Sequence, residues 1–328
     1  MGAGVLVAGA ACSSTANTAP AGLRSTRASS SEPTQSVSTP GASPVTTPEA
    51  EAPLPKVDPW TPDAGDLDAG VKAEAARVVE AVGTWRDWAG TSLAAARRVA
   101  ALGQDGRLAQ QAGRLLGGSE AAVLEVAEAQ YGGLLATMSS VLVVCRQWRA
   151  HSDGSITAGG TTVDVRLTKD TPLWRITALH PGVPGPPARP ISRLAGMVLA
   201  DHRIVLPPAA TGDILSGHVH DSVLTAMLRI AHTYVIDVSV IRSGHPTYVF
   251  GTHRLSDHPR GRAFDTWRID GHLVVDPATP RALVTAYMEA AAEAGSYSVG
   301  GPYLPSGGGT PFFSDATHHD HVHAGFAT

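Results

Sequence analysis

Ser256-Asp257-His258-Pro259-Arg260-Gly261-Arg262-Ala263-Phe264-Asp265 is answered near the C-terminus by Thr317-His318-His319-Asp320-His321-Val322-His323. Together the two stretches offer two imidazoles and a carboxylate, the ligand set of a catalytic zinc with one position left open. His258 and Asp265 share no helix face well and fit a loop and the strand it enters. Gly261 and Ala263 between them are small, which lets the backbone turn close to a metal. His321 and His323 lie two apart, so on a strand both rings would face one cavity. One could then bind the metal while the other meets the substrate or the attacking water. Eight of the fourteen histidines lie after residue 244, which places the chemistry in the C-terminal half. The residue types point to a metal-assisted hydrolase.

Ser256, His258, Gly261, Ala263 and Asp265 match the pattern Ser-x-His-x-x-Gly-x-Ala-x-Asp, and His321-x-His323 matches the late histidine that follows it. This resembles the zinc peptidases of the D-alanyl-D-alanine carboxypeptidase type, which share their fold with lysostaphin-like peptidases and the hedgehog signalling domain. The resemblance covers residues 191–328 and implies that His258, Asp265 and His323 are zinc ligands. It also implies a general base three residues before the last ligand, commonly glutamate. Asp320 stands there, one methylene shorter, either as the base or as a partner that orients a ligand histidine. His321 could supplement it by stabilising the oxyanion as an imidazolium. Arg242, at the end of an apolar strand and before Ser243-Gly244, is the counterpart of a substrate-binding arginine, or else a surface residue. Relatives often carry that arginine after the Ser-Gly turn, whereas here it precedes it. A guanidinium would suit a peptide's terminal carboxylate. Ser256 either contacts substrate or shapes its loop. His318 and His319 read as flanking surface residues, Arg254, Arg260 and Arg262 as solvated or structural, and Trp267 as a cleft wall or core residue.

Upstream, Pro181–Pro190 is too rich in proline and glycine for a regular element and reads as a linker. Residues 66–180 read as a small α+β domain. Val71, Ala75, Val78, Val79, Val82 and Trp85 recur at helical spacing behind a cap at Asp68. A second helix is expected from Ser119 through Val123, Leu124, Ala127, Tyr131 and Leu134. Strands follow at Ser140–Trp148, at Val163, Val165 and Leu167, and at Trp174, Ile176 and Ala178, with Gly159-Gly160 as a hairpin turn. That order resembles NTF2-like or cystatin-like domains. Trp85, Trp88 and Trp148 are expected in its core. Past the linker, a helix is expected at 221–233 behind Asp221, a strand at Val235–Ile241, a helix from Thr279-Pro280, and a last strand through Val322. The fold class is therefore α+β, a hedgehog/DD-peptidase-like zinc domain preceded by a small α+β domain.

The chain has 328 residues, a net charge of −4 and 16% charged residues, so no basic surface argues for nucleic acid. Cys12 closes the apolar run Gly4–Ala11 and reads as the acylated cysteine of a lipoprotein-type signal over residues 1–12. No basic residue precedes that run and it is short, as expected if the true start lies upstream of Met1. Residues 13–65, rich in Ser, Thr, Ala and Pro, cannot bury enough surface to order themselves and read as a disordered tether. Cys145 would be a buried small hydrophobe. The combined expectation is an exported protein, lipid-anchored to the outer face of the bacterial cell membrane. Its zinc peptidase domain would act on peptidoglycan stem or cross-link peptides. A zinc-binding envelope protein without catalysis, and a scaffold that binds through its N-terminal domain, are the alternatives.

Overall fold

The computed structural model describes residues 53–170, 173–305 and 309–328. Cys12 and residues 13–52 of the expected tether lie outside the described residues, as do Thr171 and Pro172. Residues 53–65, assigned to that tether, belong to the folded unit instead. The Trp60 amide donates to Glu80 at 2.8 Å and its ring packs on the N-terminal core, while the Gly65 carbonyl accepts from the His319 ring at 3.1 Å. One aromatic anchor and a few backbone hydrogen bonds hold a segment that is otherwise poor in apolar residues. No helix among the described residues is long and apolar enough to cross a membrane.

The N-terminal half begins with α1 (Ala69–Gly83), which buries Val71, Ala75, Val78, Val79 and Val82 as their spacing predicts. Asp68 caps it, its Oδ1 accepting from the Val71 amide at 3.2 Å. Helix α2 (Ser92–Ala101) follows, then the antiparallel meander β1 (Ala121–Leu134), β2 (Met138–Ala150), β3 (Ile156–Asp170) and β4 (Leu173–Pro181). The expected second helix over Ser119–Leu134 is thus a strand. The cause is visible in its register: β1 carries bulges between Val126 and Glu128 and between Tyr131 and Gly133. Each bulge shifts the side-chain alternation by one. Leu124 and Val126, then Ala129 and Tyr131, face the α1 core, and that spacing imitates a helical period. Gly159-Gly160 lies inside β3. The β2–β3 turn is made by Asp153-Gly154, with Gly154 at φ +83° and Asp153 accepting from the Ser155 amide at 3.0 Å. The Asp153 side chain fixes that turn through its own backbone two residues on, which a glycine pair cannot do. Trp85 is buried and Trp148 half-buried, but Trp88, at φ +61°, is 52% exposed and outside the core. Cys145 is a buried free thiol.

Residues 182–192 connect to the C-terminal half without a regular element. Helices α3 (Arg193–Ala200), α4 (Pro208–Leu215), α5 (Asp221–Ala231) and α6 (Arg281–Glu293) cover one side of a sheet. That sheet runs β10 (Phe312–Phe313), β9 (Ser298–Gly300), β11 (Val322–Gly325), β7 (Ala263–Ile269), β6 (Ile236–Val240), β5 (Ile204–Val205), with β8 (His272–Leu273) paired to β7. Phe264, Thr266, Val322 and Ala324 turn toward the helices; the Thr266 hydroxyl meets Tyr287 of α6 at 2.7 Å. Alternation therefore sends Asp265 and His323 to the opposite face. The N-terminal sheet packs over that face, and the described residues form one compact unit.

Candidate metal centre

Strands β7 and β11 run antiparallel with Asp265 directly opposite His323. A cross-strand pair of this kind brings its Cβ atoms within about 5 Å, and the His323 Nδ1 lies 3.0 Å from Asp265 Oδ1. His258 enters from the tight turn before β7. There Gly261 takes φ +69°, and a Cβ would fall 1.9 Å from the His218 carbonyl, so only glycine closes the turn. The Ser256 hydroxyl accepts from the His258 amide at 3.3 Å, shaping the same turn. His258 Nε2 then stands 3.1 Å from both His323 Nδ1 and Asp265 Oδ1.

Two nitrogens and one oxygen thus form a triangle with edges of 3.0–3.1 Å. Donors around a tetrahedral ion with bonds near 2.0 Å lie about 3.3 Å apart, so this set can hold a metal. The tautomer agrees. His258 Nδ1 is 2.8 Å from the Ile241 carbonyl, which can only accept, so Nδ1 carries the proton and Nε2 presents a lone pair. His245 is a looser fourth candidate: ligand atoms of His245, His258 and Asp265 lie within 4.8 Å of one another. Its ring stacks on His258 at 4.0 Å, and its Nδ1 donates to the Pro246 carbonyl at 2.9 Å. The His258, Asp265 and His323 triangle is the tighter of the two sets, and His245 packs against the His258 ring beside it. Burial drives His245 well below the ordinary imidazole range and His323 down to about 4, so both favour the neutral, ligating form. Burial opposes ionisation of Asp265, but His258 and His321 beside it outweigh burial and hold the carboxyl well below its usual range.

The triangle sits in a cavity of about 500 Å³ walled by both halves of the molecule, with Tyr131 and Leu134 from β1, Phe250 and Arg254 from a C-terminal loop, and Phe313 from β10. His321 and His323 both line it, as their spacing predicts. His321 Nδ1 donates to Asp320 Oδ1 at 2.7 Å, which leaves Nε2 directed inward, 3.6 Å from Asp265 Oδ2. Burial disfavours the imidazolium, yet Asp265 and Asp320 raise the His321 pKa overall.

Asp320 itself does not line the cavity. Its Oδ2 accepts from the Tyr131 amide at 2.9 Å and pairs with Lys72 Nζ at 2.7 Å, and its Oδ1 is taken by His321. Both oxygens are engaged by these partners and Asp320 does not border the cavity, so the position orients His321. Arg242 is likewise absent from the cavity. Its Nε donates to the Pro259 carbonyl at 3.3 Å, and it borders shallower surface hollows. Trp267 lies outside the cavity wall, under the Arg268 guanidinium. Ser256 lines the cavity, and so does His318, expected at the surface, whose ring donates to Asp315 at 2.8 Å. Arg254, expected to be solvated or structural, is exposed and borders the cavity, whereas His245 is not among the sequence candidates. His245 follows the Ser243-Gly244 turn, which was the available signal; Arg254, in a loop without pattern, carried none.

Beneath the site, Lys72 of α1 is fully buried among Asp66, Asp320 and Glu128. Burial works against its charge, but the three carboxylates raise its pKa above the ordinary range. Burial pushes the Glu128 carboxyl up to about 8, with Lys72 pulling the other way. Because this folded value lies above the ordinary 4.5, the stabilisation is complete below about pH 4.5 and is lost as pH rises through 8. Glu128→Gln fixes the neutral form. It is expected to match the wild type in thermal melts at pH 4.5 and to exceed it by several degrees at pH 9. Equal melting curves at both pH values would exclude a buried, proton-bearing Glu128.

No protein-family model, curated protein or solved structure matches the chain.

Proposed function

We propose that the protein is a zinc-dependent peptidase of the D-alanyl-D-alanine carboxypeptidase type, acting on peptidoglycan stem or cross-link peptides. The observation that carries this reading is the triangle of His258 Nε2, Asp265 Oδ1 and His323 Nδ1, open to a cavity that His321 also faces. His258, Asp265 and His323 would hold a zinc ion there, which would supply Lewis acidity toward a carbonyl and lower the pKa of water to about 7. His321 Nε2 takes the proton of the attacking water and returns it to the leaving amine. Asp320 holds the His321 ring in the tautomer that makes this possible, a role that replaces the general-base role for Asp320 itself. Arg254, the cation of the cavity wall, takes over from Arg242 as the group facing a substrate carboxylate. Ser256 keeps the metal turn in shape while bordering the substrate. The peptidoglycan assignment rests on the sequence resemblance and on export through a lipidated Cys12, which would set the catalytic unit at the outer face of the membrane.

Mass spectrometry of purified muropeptides incubated with the full chain and zinc tests the reading, beside a His323→Ala control. Loss of a terminal D-alanine, or scission of a cross-link, is expected with the wild type alone. Intact muropeptides from a protein with stoichiometric zinc would instead favour the non-catalytic zinc-binding reading, which the engaged position of Asp320 supports.

A further inference from the structure

Gln130 lies in β1 of the N-terminal sheet, yet its side chain ends at a metal-ligand candidate of the C-terminal one. Its Nε2 donates to Asp265 Oδ2 at 2.7 Å, and its Oε1 accepts from the Ser239 hydroxyl. A carboxylate oxygen can only accept, so the amide nitrogen must face Asp265, and the serine hydroxyl satisfies the other end. The whole arrangement is buried. The β1 bulge between Val126 and Glu128 is what delivers it: alternation slips by one, Ala129 and Tyr131 enter the α1 core, and Gln130 turns to the opposite face.

We propose that Gln130 is a positioning residue that confines Asp265 to single-oxygen coordination, so that the N-terminal sheet completes the metal centre. This inference rests on the metal-centre reading above. Asp265 Oδ1 belongs to the triangle, whereas Oδ2 is drawn away from it by the Gln130 amide. A carboxylate released from that bond is free to rotate and offer both oxygens, consuming the position that substrate or water needs. Groups that hold a ligand in this way set metal affinity by about 10–100-fold. Beside it the Tyr131 amide and Lys72 fix Asp320, so two successive residues of β1 brace the floor of the site from across the interface.

The test uses the full chain and reads metal binding, which requires no peptidase activity. Zinc affinity is measured by competition with a chromogenic chelator, and the cobalt(II)-substituted protein is examined by visible absorption. Gln130→Met keeps length and removes the amide; Ser239 retains an acceptor in the Asp265 carbonyl at 3.3 Å. The expected result is zinc binding weakened about 10–100-fold, with weaker cobalt bands as coordination expands beyond four. A purely structural role would leave the cobalt spectrum of the bound state unchanged. Ser239→Ala, which deletes one hydroxyl and frees the Gln130 amide, serves as the milder variant should Gln130→Met not fold. It is expected to change affinity and spectrum in the same direction and by less. Wild-type affinity and spectrum in a folded variant would overturn the proposal alone, whereas a wild-type chain that takes up no zinc would overturn the metal centre as well.

Discussion

Replacing His321 by alanine is expected to lower peptide turnover by about 10²–10⁴-fold, the usual contribution of a general base, while zinc stoichiometry stays at the wild-type level. The reasoning is geometric. His321 Nδ1 is committed to Asp320 at 2.7 Å, so its Nε2 lone pair is the basic atom that faces the cavity beside the ligand triangle. The three triangle atoms come from His258, Asp265 and His323, and none is removed by the change. Kinetics on the muropeptide cleaved by the wild type, together with metal analysis of the same samples, would check it. Turnover within a few-fold of wild type would remove His321 from the mechanism, and loss of zinc would make it a ligand instead. His323→Ala should behave in the opposite way, losing metal and activity together.

Lys72→Met is expected to cost about 3–5 kcal/mol of stability, the range for stripping one partner from a buried ion pair. The Lys72 ammonium is fully buried, 2.7 Å from Asp320 and paired with Asp66, with Glu128 at 4.0 Å. Methionine fills the space but leaves Asp320 and Asp66 inside the protein without a counter-charge. For a unit of this size the midpoint of thermal unfolding should fall by roughly 5–9 °C. Adding Asp320→Asn to Lys72→Met removes one orphaned charge and should recover part of the loss. A single variant that melts like the wild type would mean that the cluster is hydrated, and that its charges are not the burden their burial implies.

The two histidine-bearing stretches and the strand spacing of His321 and His323 were legible in the sequence because they are local. Ligand identity depends on residue type, and a two-residue offset decides a face on any strand. The α1 stripe behind Asp68 was legible for the same reason. The β1 strand was not, because its bulges convert a period of two into one that imitates a helix. Nor was the packing of residues 53–65 legible, since Trp60 draws its hold from α1 and the core beneath it. The roles of Asp320 and Arg242 turned on partners remote in the chain. Lys72 and the Tyr131 amide occupy Asp320, and the Pro259 carbonyl draws off Arg242. His245 and Arg254 reach the site only through the course of their loop, which no period in the sequence describes.

By itself, then, the sequence marked which residues can bind a metal, that His321 and His323 share one face, and where small residues let the backbone turn close behind His258. Only the tertiary structure decided that Asp265 and His323 stand opposite one another, that Asp320 serves His321, and that Gln130 reaches Asp265 from the other sheet. The division has one physical cause. Side-chain chemistry and backbone alternation act over a few residues, whereas a hydrogen bond between residues 135 positions apart exists only after two sheets have packed face to face.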